Sequence, residues 1–181
     1  MKRYISVLRG INVGGKRKIR MLDLKALYLH LGFKNVVTFI QSGNVLFETS
    51  TEDSEKVISE KIRKGILEQF GFEVPVILRT LKEMEEIAER NPFQSSSDTG
   101  KLHVTLLAEL PAVENCSYLT EASFLPDECR LINREIYIKC AGKYSDSKLT
   151  NNFIENKLKI AATTRNWKTF LKLLELAQNV Q

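Results

Sequence analysis

Short β-rich runs alternate with amphipathic helical stretches along this chain, and one polar segment divides them into two similar sets. The first set follows the order β-α-β-β-α-β, and the second approximates β-α-β-β-α with a further helix at the end. The dividing segment, 94–100, contains three serines and no apolar residue, a composition typical of linkers. This alternation favours an α+β fold of two small subdomains, at 1–92 and 101–181, each an antiparallel sheet covered by helices. The first is expected to be ferredoxin-like with a short linking helix, and the second to end in an extra helix.

The spacing of apolar residues places the helices of the first half. Four residues at the spacing i, i+3, i+4, i+7 predict a helix over 22–31 that ends at Gly32, namely Leu24, Leu27, Tyr28 and Leu31. Three isoleucines at every fourth residue predict a second helix, capped by Thr51 and ending at Phe70, namely Ile58, Ile62 and Ile66. Thr80 and Glu83 have the spacing of a capping box, which predicts a short third helix ended by Asn91 and Pro92.

Elements of the second half follow from the same kinds of pattern. A continuous apolar run predicts a buried strand over 102–107, and two β-rich runs predict a hairpin around Asn133 and Arg134. Helices are predicted over 148–158 and 164–178, while 112–125 is ambiguous and is expected to include a short helix.

Composition is that of an ordinary globular protein. The chain has 181 residues, of which 43% are hydrophobic and 27% charged, and its mean hydropathy is −0.19. No apolar run approaches the ~20 residues that cross a bilayer, so no membrane association is expected. The first residues, up to Arg9, lead directly into a patterned strand and are not expected to be a signal peptide.

The three cysteines, Cys116, Cys129 and Cys140, lack the C-x-x-C spacing, and both histidines are distant from them in sequence. This pattern argues against a disulfide framework and against a zinc site. We therefore expect reduced thiols, a cytoplasmic location, and neither a metal nor another cofactor. For Cys140, a buried inert thiol is favoured over one made reactive by Lys139 and Lys143.

Basic residues concentrate towards both ends of the chain. Residues 1–47 contain nine Lys and Arg against one acidic residue, and 139–181 contain eight against three. The segments 48–90 and 91–138 each have a net charge of −4. If folding brings the two ends together, they form a positive face that attracts phosphate. The competing interpretation is a solvated surface that has no partner.

A glycine-containing loop follows the first predicted strand. Residues 10–17 match the opening of the phosphate-loop pattern, G-x-x-x-x-G-K, but Arg17 stands where Ser or Thr would bind magnesium. The next helix also starts several residues late, so we exclude an NTPase phosphate loop. Backbone amides beside Arg9, Lys16 and Lys18 instead predict a general anion site, in which Asn12 orients the ligand. A flexible loop with solvated charges remains the competing interpretation.

Two further motifs supply candidate ligand-binding residues. Gln41, Ser42 and Asn44 surround a glycine at a predicted hairpin tip, where their polar groups can orient a ligand, although turn geometry alone also favours Gly and Asn. Arg165 falls at the predicted start of the last helix, where a rigid guanidinium suits bidentate recognition of an oxyanion. The structural interpretation of the same motif is a Thr163 N-cap followed by a buried Trp167.

Several separated blocks together resemble domain-of-unknown-function family 1697. The blocks are Leu8–Gly15, Gly32-Phe33 with Asn35-Val36, Gln41–Val45, Ser147–Leu149 and Thr163–Trp167. They lie near both ends of the chain, so the resemblance covers essentially all of it. It implies a bacterial-type cytosolic α+β protein built from two subdomains, and it implies no reaction.

Three functions are compatible with these patterns. The leading hypothesis is a metal-independent binding protein whose basic loops accept a phosphate-bearing ligand, either a nucleotide or a nucleic-acid backbone. The second is an enzyme that acts on a phosphorylated metabolite and uses cationic side chains to stabilise developing charge. The third is an interaction protein with an acidic partner. Whether the protein is an enzyme, and its oligomeric state, stay open.

Overall fold

The computed structural model describes residues 1–96, 98–120 and 124–179, with no description of the Thr120 side chain. Ser97 of the predicted linker and 121–123 of the ambiguous segment lie outside the described residues. The described strands and helices follow in this order: β1 (Lys2–Leu8), α1 (Met21–His30), β2 (Lys34–Phe39), β3 (Asn44–Thr49), α2 (Glu55–Phe70), β4 (Val76–Thr80), α3 (Leu81–Glu89), β5 (Leu102–Leu107), α4 (Val113–Thr120), β6 (Glu128–Ile132), β7 (Glu135–Lys139), α5 (Asn151–Leu158), β8 (Ala162–Asn166) and α6 (Trp167–Asn179).

The chain divides into two compact units. Unit 1 comprises Met1–Glu85 and Leu173–Gln181, and unit 2 comprises Glu86–Lys172. Helix α6 contributes its first residues to unit 2 and its last residues to unit 1. The subdomain boundaries predicted at 1–92 and 101–181 stay a prediction.

Unit 1 contains an antiparallel sheet in the order β2-β3-β1-β4, as expected for a ferredoxin-like β-α-β-β-α-β segment. Alternate residues of a strand point to one face, so β1 presents Tyr4 and Leu8 to the same side of the sheet. That side packs against the apolar stripes of α1 and α2, which the i, i+3, i+4 spacing had predicted. The resulting core includes Leu24, Tyr28, Phe47, Ile58, Ile62 and Ile66.

The capping of two helices tests the local predictions in unit 1. Helix α2 begins three residues later than a Thr51 cap requires, because the Ser54 hydroxyl accepts the Val57 N–H at 3.4 Å. The Thr51 hydroxyl instead accepts the N–H of Asp53 at 3.2 Å, so the predicted Thr51 cap is wrong. The capping box before α3 is present, with the N–H of Thr80 donating to Glu83 at 2.8 Å and the reverse bond at 3.2 Å.

Unit 2 contains a second antiparallel sheet, in the order β6-β7-β5-β8. When the strands are counted from the start of each unit, both sheets have the order second, third, first, fourth. No residue-level repeat accompanies this shared order. Its core lies between the sheet and α5, and includes Leu107, Ile136, Ile138, Leu149, Ile154 and Leu158. The α+β prediction of two helix-covered antiparallel sheets and a terminal helix is confirmed.

Strand β8 is the element that the sequence analysis missed. Residues 162–166 pair antiparallel with β5, so helix α6 begins at Trp167 and the helix predicted over 164–178 starts too early. The β-branched pair Thr163 and Thr164 favours a strand, but a threonine before an apolar stripe also resembles a helix cap. The pairing partner lies some sixty positions earlier in the chain, with His103 opposite Asn166, and local pattern alone does not reveal it.

Within the described ranges, none of the helices combines the length and the apolar character needed to traverse a lipid bilayer. Cys116, Cys129 and Cys140 are free thiols.

Candidate functional site

The loop after β1 is a closed structure. The N–H of Lys16 donates to the carbonyl of Val13 at 3.1 Å, and the N–H of Asn12 donates to the carbonyl of Arg17 at 3.2 Å. Asn12 has a φ of 56°, a conformation that asparagine tolerates better than most residues. The loop therefore folds back on itself and presents an exposed basic tip, which consists of Lys16, Arg17 and Lys18.

The side chain of Asn12 joins this loop to the hairpin between β2 and β3. Its Oδ1 atom accepts the N–H of Ile19 at 2.9 Å, and its Nδ2 group donates to the carbonyls of Ile19 and Gln41, both at 2.9 Å. Both polar atoms of the amide are thus directed at backbone groups. Asn12 holds two segments together that are separated by 29 positions in the chain.

The hairpin turn is held by a buried amide, that of Asn44. Asn44 is completely buried, and its Nδ2 group donates to the carbonyl of Phe39 and to the hydroxyl of Ser42, each at 3.0 Å. The N–H of Leu8 at the end of β1 donates to the carbonyl of Gly43 at 2.8 Å. These bonds fix the turn against the sheet and leave Gln41 exposed at its edge.

The loop, the turn and the start of α1 enclose a groove with a volume of about 690 Å³. All the residues that line it belong to unit 1. They are Asn12, Gly15, Lys18, Ile19, Arg20, Met21, Leu22, Asp23, Gln41 and Phe70. The groove therefore brings together three of the predicted ligand-binding residues, Asn12, Lys18 and Gln41.

The two cations along this groove differ in whether a carboxylate already neutralises them. The Arg20 guanidinium makes a bidentate ion pair with Asp23, at 2.7 Å and 3.0 Å, and this hydrogen-bonded carboxylate raises the pKa of Arg20. Lys18 is exposed and has no carboxylate within ion-pair distance among the described residues. Arg9 and Lys16 belong to the same loop but lie outside the groove lining, and Arg9 is half-buried where its N–H donates to Pro75.

Arg165 occupies a different setting from the predicted one. It lies in strand β8 of unit 2 rather than at a helix start, and only 8% of the residue is exposed. Its Nη1 group donates to the Thr163 hydroxyl and to the Thr164 carbonyl, both at 2.9 Å. The cap of α6 is Asn166, whose Oδ1 accepts the N–H of Lys168 at 3.0 Å, so the predicted Thr163 cap is wrong.

The apolar part of the groove was not among the predicted site residues. Besides the buried Ile19, it consists of Met21 and Leu22 at the first turn of α1 and Phe70 at the last turn of α2. The signal for Phe70 was present, because it continues the stripe of Ile62 and Ile66 by one more step of four residues. As that stripe reaches the helix end, Phe70 becomes only half-buried.

The sulfur of Cys140 in unit 2 lies near an imidazole, at 3.9 Å from the Nδ1 atom of His103. Burial raises the pKa of the Cys140 thiol to about 11, which keeps it protonated at neutral pH. Burial also lowers the pKa of His103. The thiol is consistent with the inert cysteine favoured above.

Comparison with protein families gives one assignment. The family model described as "Protein of unknown function (DUF1697)" matches residues 1–137, which is three quarters of the chain. The chain belongs to the DUF1697 family. The groove lies within the matched residues, whereas Arg165 lies beyond them.

This DUF1697 protein is also similar along its length to a solved structure. Conserved bacterial protein SP0830 from Streptococcus pneumoniae shares 25% sequence identity with it and superposes with a TM-score of 0.81, over 99% of each chain. No curated protein matches the chain significantly.

Proposed function

We propose that this protein binds a phosphate-bearing ligand, a nucleotide or a nucleic-acid backbone, in the groove of unit 1. The observation that carries the proposal is the meeting of Asn12, Lys18 and Gln41 in one groove, since they come from two separate motifs. The bond from Asn12 to the Gln41 carbonyl makes that meeting a built feature of the fold.

Each predicted residue has a distinct part in this proposal. Lys18 provides an exposed cation, and Gln41 provides an amide with both donor and acceptor groups. Asn12, Ser42 and Asn44 act as positioning residues, because they tie the loop and the turn into place. Arg9 and Lys16 raise the positive potential around the groove and attract anions from a distance.

The backbone of the loop supports an anion as well. At Gly15 no atom lies within 4 Å of where a Cβ would stand, so a ligand in the groove can approach the backbone closely at this residue. Glycine-containing loops beside lysines are a common setting for phosphate oxygens.

Thermal unfolding of the full chain against nucleotides, sugar phosphates and short oligonucleotides tests the proposal. A ligand at about 100 times its Kd adds ~2.7 kcal/mol to the free energy of unfolding, which raises the Tm measurably. Lys18→Ala is expected to weaken binding about 10- to 100-fold, the usual effect of removing a charged hydrogen-bond donor.

Lys25→Ala is the matched control, since Lys25 is an exposed lysine of α1 outside the groove lining. It removes the same charge from the same basic segment and is expected to leave affinity nearly unchanged. Equal losses in the two variants would assign binding to overall charge, and no Tm shift with any phosphate compound would overturn the proposal.

Arg165 stays a proposed ligand residue from unit 2 and needs its own test. If its guanidinium contributes to binding, Arg165→Lys weakens affinity for the phosphate probe while the Tm without ligand changes little. If the variant lowers the Tm and leaves affinity unchanged, Arg165 serves the packing of unit 2, where it bonds Thr163 and Thr164.

We also propose that the protein is cytoplasmic. The support is its three free thiols, which oxidising compartments tend to convert to disulfides.

A further inference from the structure

The groove of unit 1 has two chemically different parts. Gly15, Lys18 and Gln41 form a polar part, at the loop and the hairpin turn. Met21, Leu22 and Phe70 form an apolar part, where the first turn of α1 meets the end of α2. A ligand that fills the groove therefore has a polar portion and an apolar portion.

The polar part carries charge for about one phosphate group. Of the two cations in the whole groove lining, Arg20 is already compensated by the bidentate pair with Asp23. Lys18 is left as the cation of the groove lining without a carboxylate partner among the described residues. A nucleic-acid strand carries a charge at every nucleotide and is normally met by a row of cations, which this groove lining does not contain.

The apolar part offers one aromatic ring and exposed aliphatic groups to a ligand. Leu22 is 80% exposed, although it is an apolar residue in the first turn of a helix. Phe70 is half-buried, and its ring is stacked on that of Phe72 with the centroids 6.4 Å apart, which restrains its orientation. Aromatic rings held in this way are common platforms for nucleobases.

We propose that the groove takes a phosphate monoester that carries a planar aromatic group, in chemical class a nucleoside monophosphate, and not a stretch of nucleic-acid backbone. The phosphate faces Lys18 and the open side of Gly15, and the base lies against Met21, Leu22 and Phe70. A groove of about 690 Å³ is within the range that accommodates such a ligand. This inference rests on the proposed phosphate-binding function and specifies its ligand.

The test compares adenosine 5′-monophosphate with its two halves, ribose 5-phosphate and adenosine, by calorimetric titration of the full chain. The nucleotide is expected to bind about tenfold or more tightly than either half, because it engages both parts of the groove. Its affinity is expected to fall only weakly with salt, because a mononucleotide lacks the condensed counterions whose release makes nucleic-acid binding steeply salt-dependent.

Variants separate the two parts of the groove. Phe70→Ala is expected to weaken nucleotide binding about tenfold and to leave ribose 5-phosphate binding unchanged. Phe70→Leu keeps the apolar bulk without the planar ring and is expected to lie between the wild type and Phe70→Ala. Val57→Ala is the control, since it shortens a half-exposed apolar residue of the same helix outside the groove lining.

The outcomes distinguish this inference from the function on which it rests. If ribose 5-phosphate binds as tightly as the nucleotide, and Phe70→Ala has no effect while Lys18→Ala weakens both ligands, the aromatic-ligand inference is overturned and phosphate binding stands. If a single-stranded hexanucleotide binds more tightly than the monophosphate, with a salt slope of several units, the nucleic-acid backbone replaces it. If no phosphate probe binds, both proposals fall.

Discussion

Asn12 organises the candidate site through its hydrogen bonds to the backbone. Its amide makes three hydrogen bonds to the backbone of Ile19 and Gln41, and its own backbone has a positive φ. The side chain therefore joins the basic loop to the hairpin turn, and the groove exists only while both segments stay in place. At the scale of single residues, we therefore expect stability to depend more on residues that connect the loop and the turn, such as Asn12, than on the exposed lysines.

Asn12→Ala is expected to lower the free energy of unfolding by about 2 to 4 kcal/mol, from the lost hydrogen bonds and the positive φ. Asn12→Gly loses the same bonds but relieves the backbone strain, so its loss is expected to be smaller. Urea unfolding of the three proteins measures both effects. An Asn12→Ala protein as stable as the wild type would show that these hydrogen bonds do not stabilise the fold.

Gly43 also connects the hairpin turn to the end of β1, and its substitution is expected to lower the free energy of unfolding. A Cβ there would lie 2.7 Å from Cδ1 of Ile11 and 2.8 Å from Cβ of Leu8, and the residue has a φ of 79°. Gly43→Ala is expected to cost about 2 to 4 kcal/mol, from the combined overlap and strain. Gly32→Ala is the matched control, because Gly32 has a φ of 87° and open space around it, so about 1 kcal/mol is expected. Equal costs in urea unfolding would mean that the contacts around Gly43 relax.

The start of helix α6 is linked to an imidazole of strand β5. Nδ1 of His103 lies 3.3 Å from the Lys101 carbonyl, and the Asn166 amide lies 3.4 Å from Nε2. The same amide donates to the Gly100 carbonyl and accepts the N–H of Lys168, and these two bonds fix its orientation. A carbonyl requires a proton on Nδ1 and an amide N–H requires a lone pair on Nε2, so the neutral imidazole fits this arrangement. Protonation of the imidazole adds an N–H at Nε2, which then faces the N–H of the Asn166 amide at the cap of α6.

At the scale of this element, we expect stability to fall with acidification. Burial lowers the pKa of His103 below its ordinary value of 6.5, so the unfolded chain takes up the proton first. The stabilisation is therefore complete above pH 6.5 and is lost as the pH falls through the lowered pKa of the folded state. His103→Gln, which has no proton to gain, is expected to flatten the dependence of the unfolding free energy between about pH 5 and pH 7. His30→Gln, an exposed histidine at the end of α1, is the control, and a wild-type profile matching that of His103→Gln would contradict the link.

At the scale of the whole molecule, the two units repeat one strand order and share one helix. Helix α6 holds the buried Phe170 in its unit 2 part and the buried Ala177 in its unit 1 part. Because a helix is a continuous run of hydrogen bonds, a break near its middle disturbs the packing of both parts.

Leu171→Pro tests this sharing, since Leu171 is a helix-interior residue that is 40% exposed. The substitution is expected to lower the free energy of unfolding by about 3 kcal/mol or more, from the lost hydrogen bond and the ring clash. Leu171→Ala keeps the helix and is expected to cost less than about 1 kcal/mol. Amide hydrogen exchange should accelerate in both parts of α6 in the proline variant. Faster exchange in only one part of α6 would mean that the two parts are stabilised independently.

The ferredoxin-like order of unit 1 and most helices could be predicted because their signals are local. Helical spacing placed α1 and α2, and the pair Thr80 and Glu83 located the start of α3, since those side chains meet within one turn of the chain. Strand β8 escaped prediction because its pairing with β5 joins distant parts of the chain. Three of the predicted site residues lie in one groove, but whether any of the eight binds a ligand stays a prediction.

What the sequence determined by itself is therefore the kind of most elements, and the polarity and charge along the chain, since these depend on neighbours a few residues apart. The tertiary structure alone decided that the Asn12 side chain hydrogen-bonds the Gln41 carbonyl, that Phe70 lines the groove, and that Arg165 is buried within a strand. Each of these depends on contacts between segments distant in the chain, and such contacts exist only after the sheets have formed.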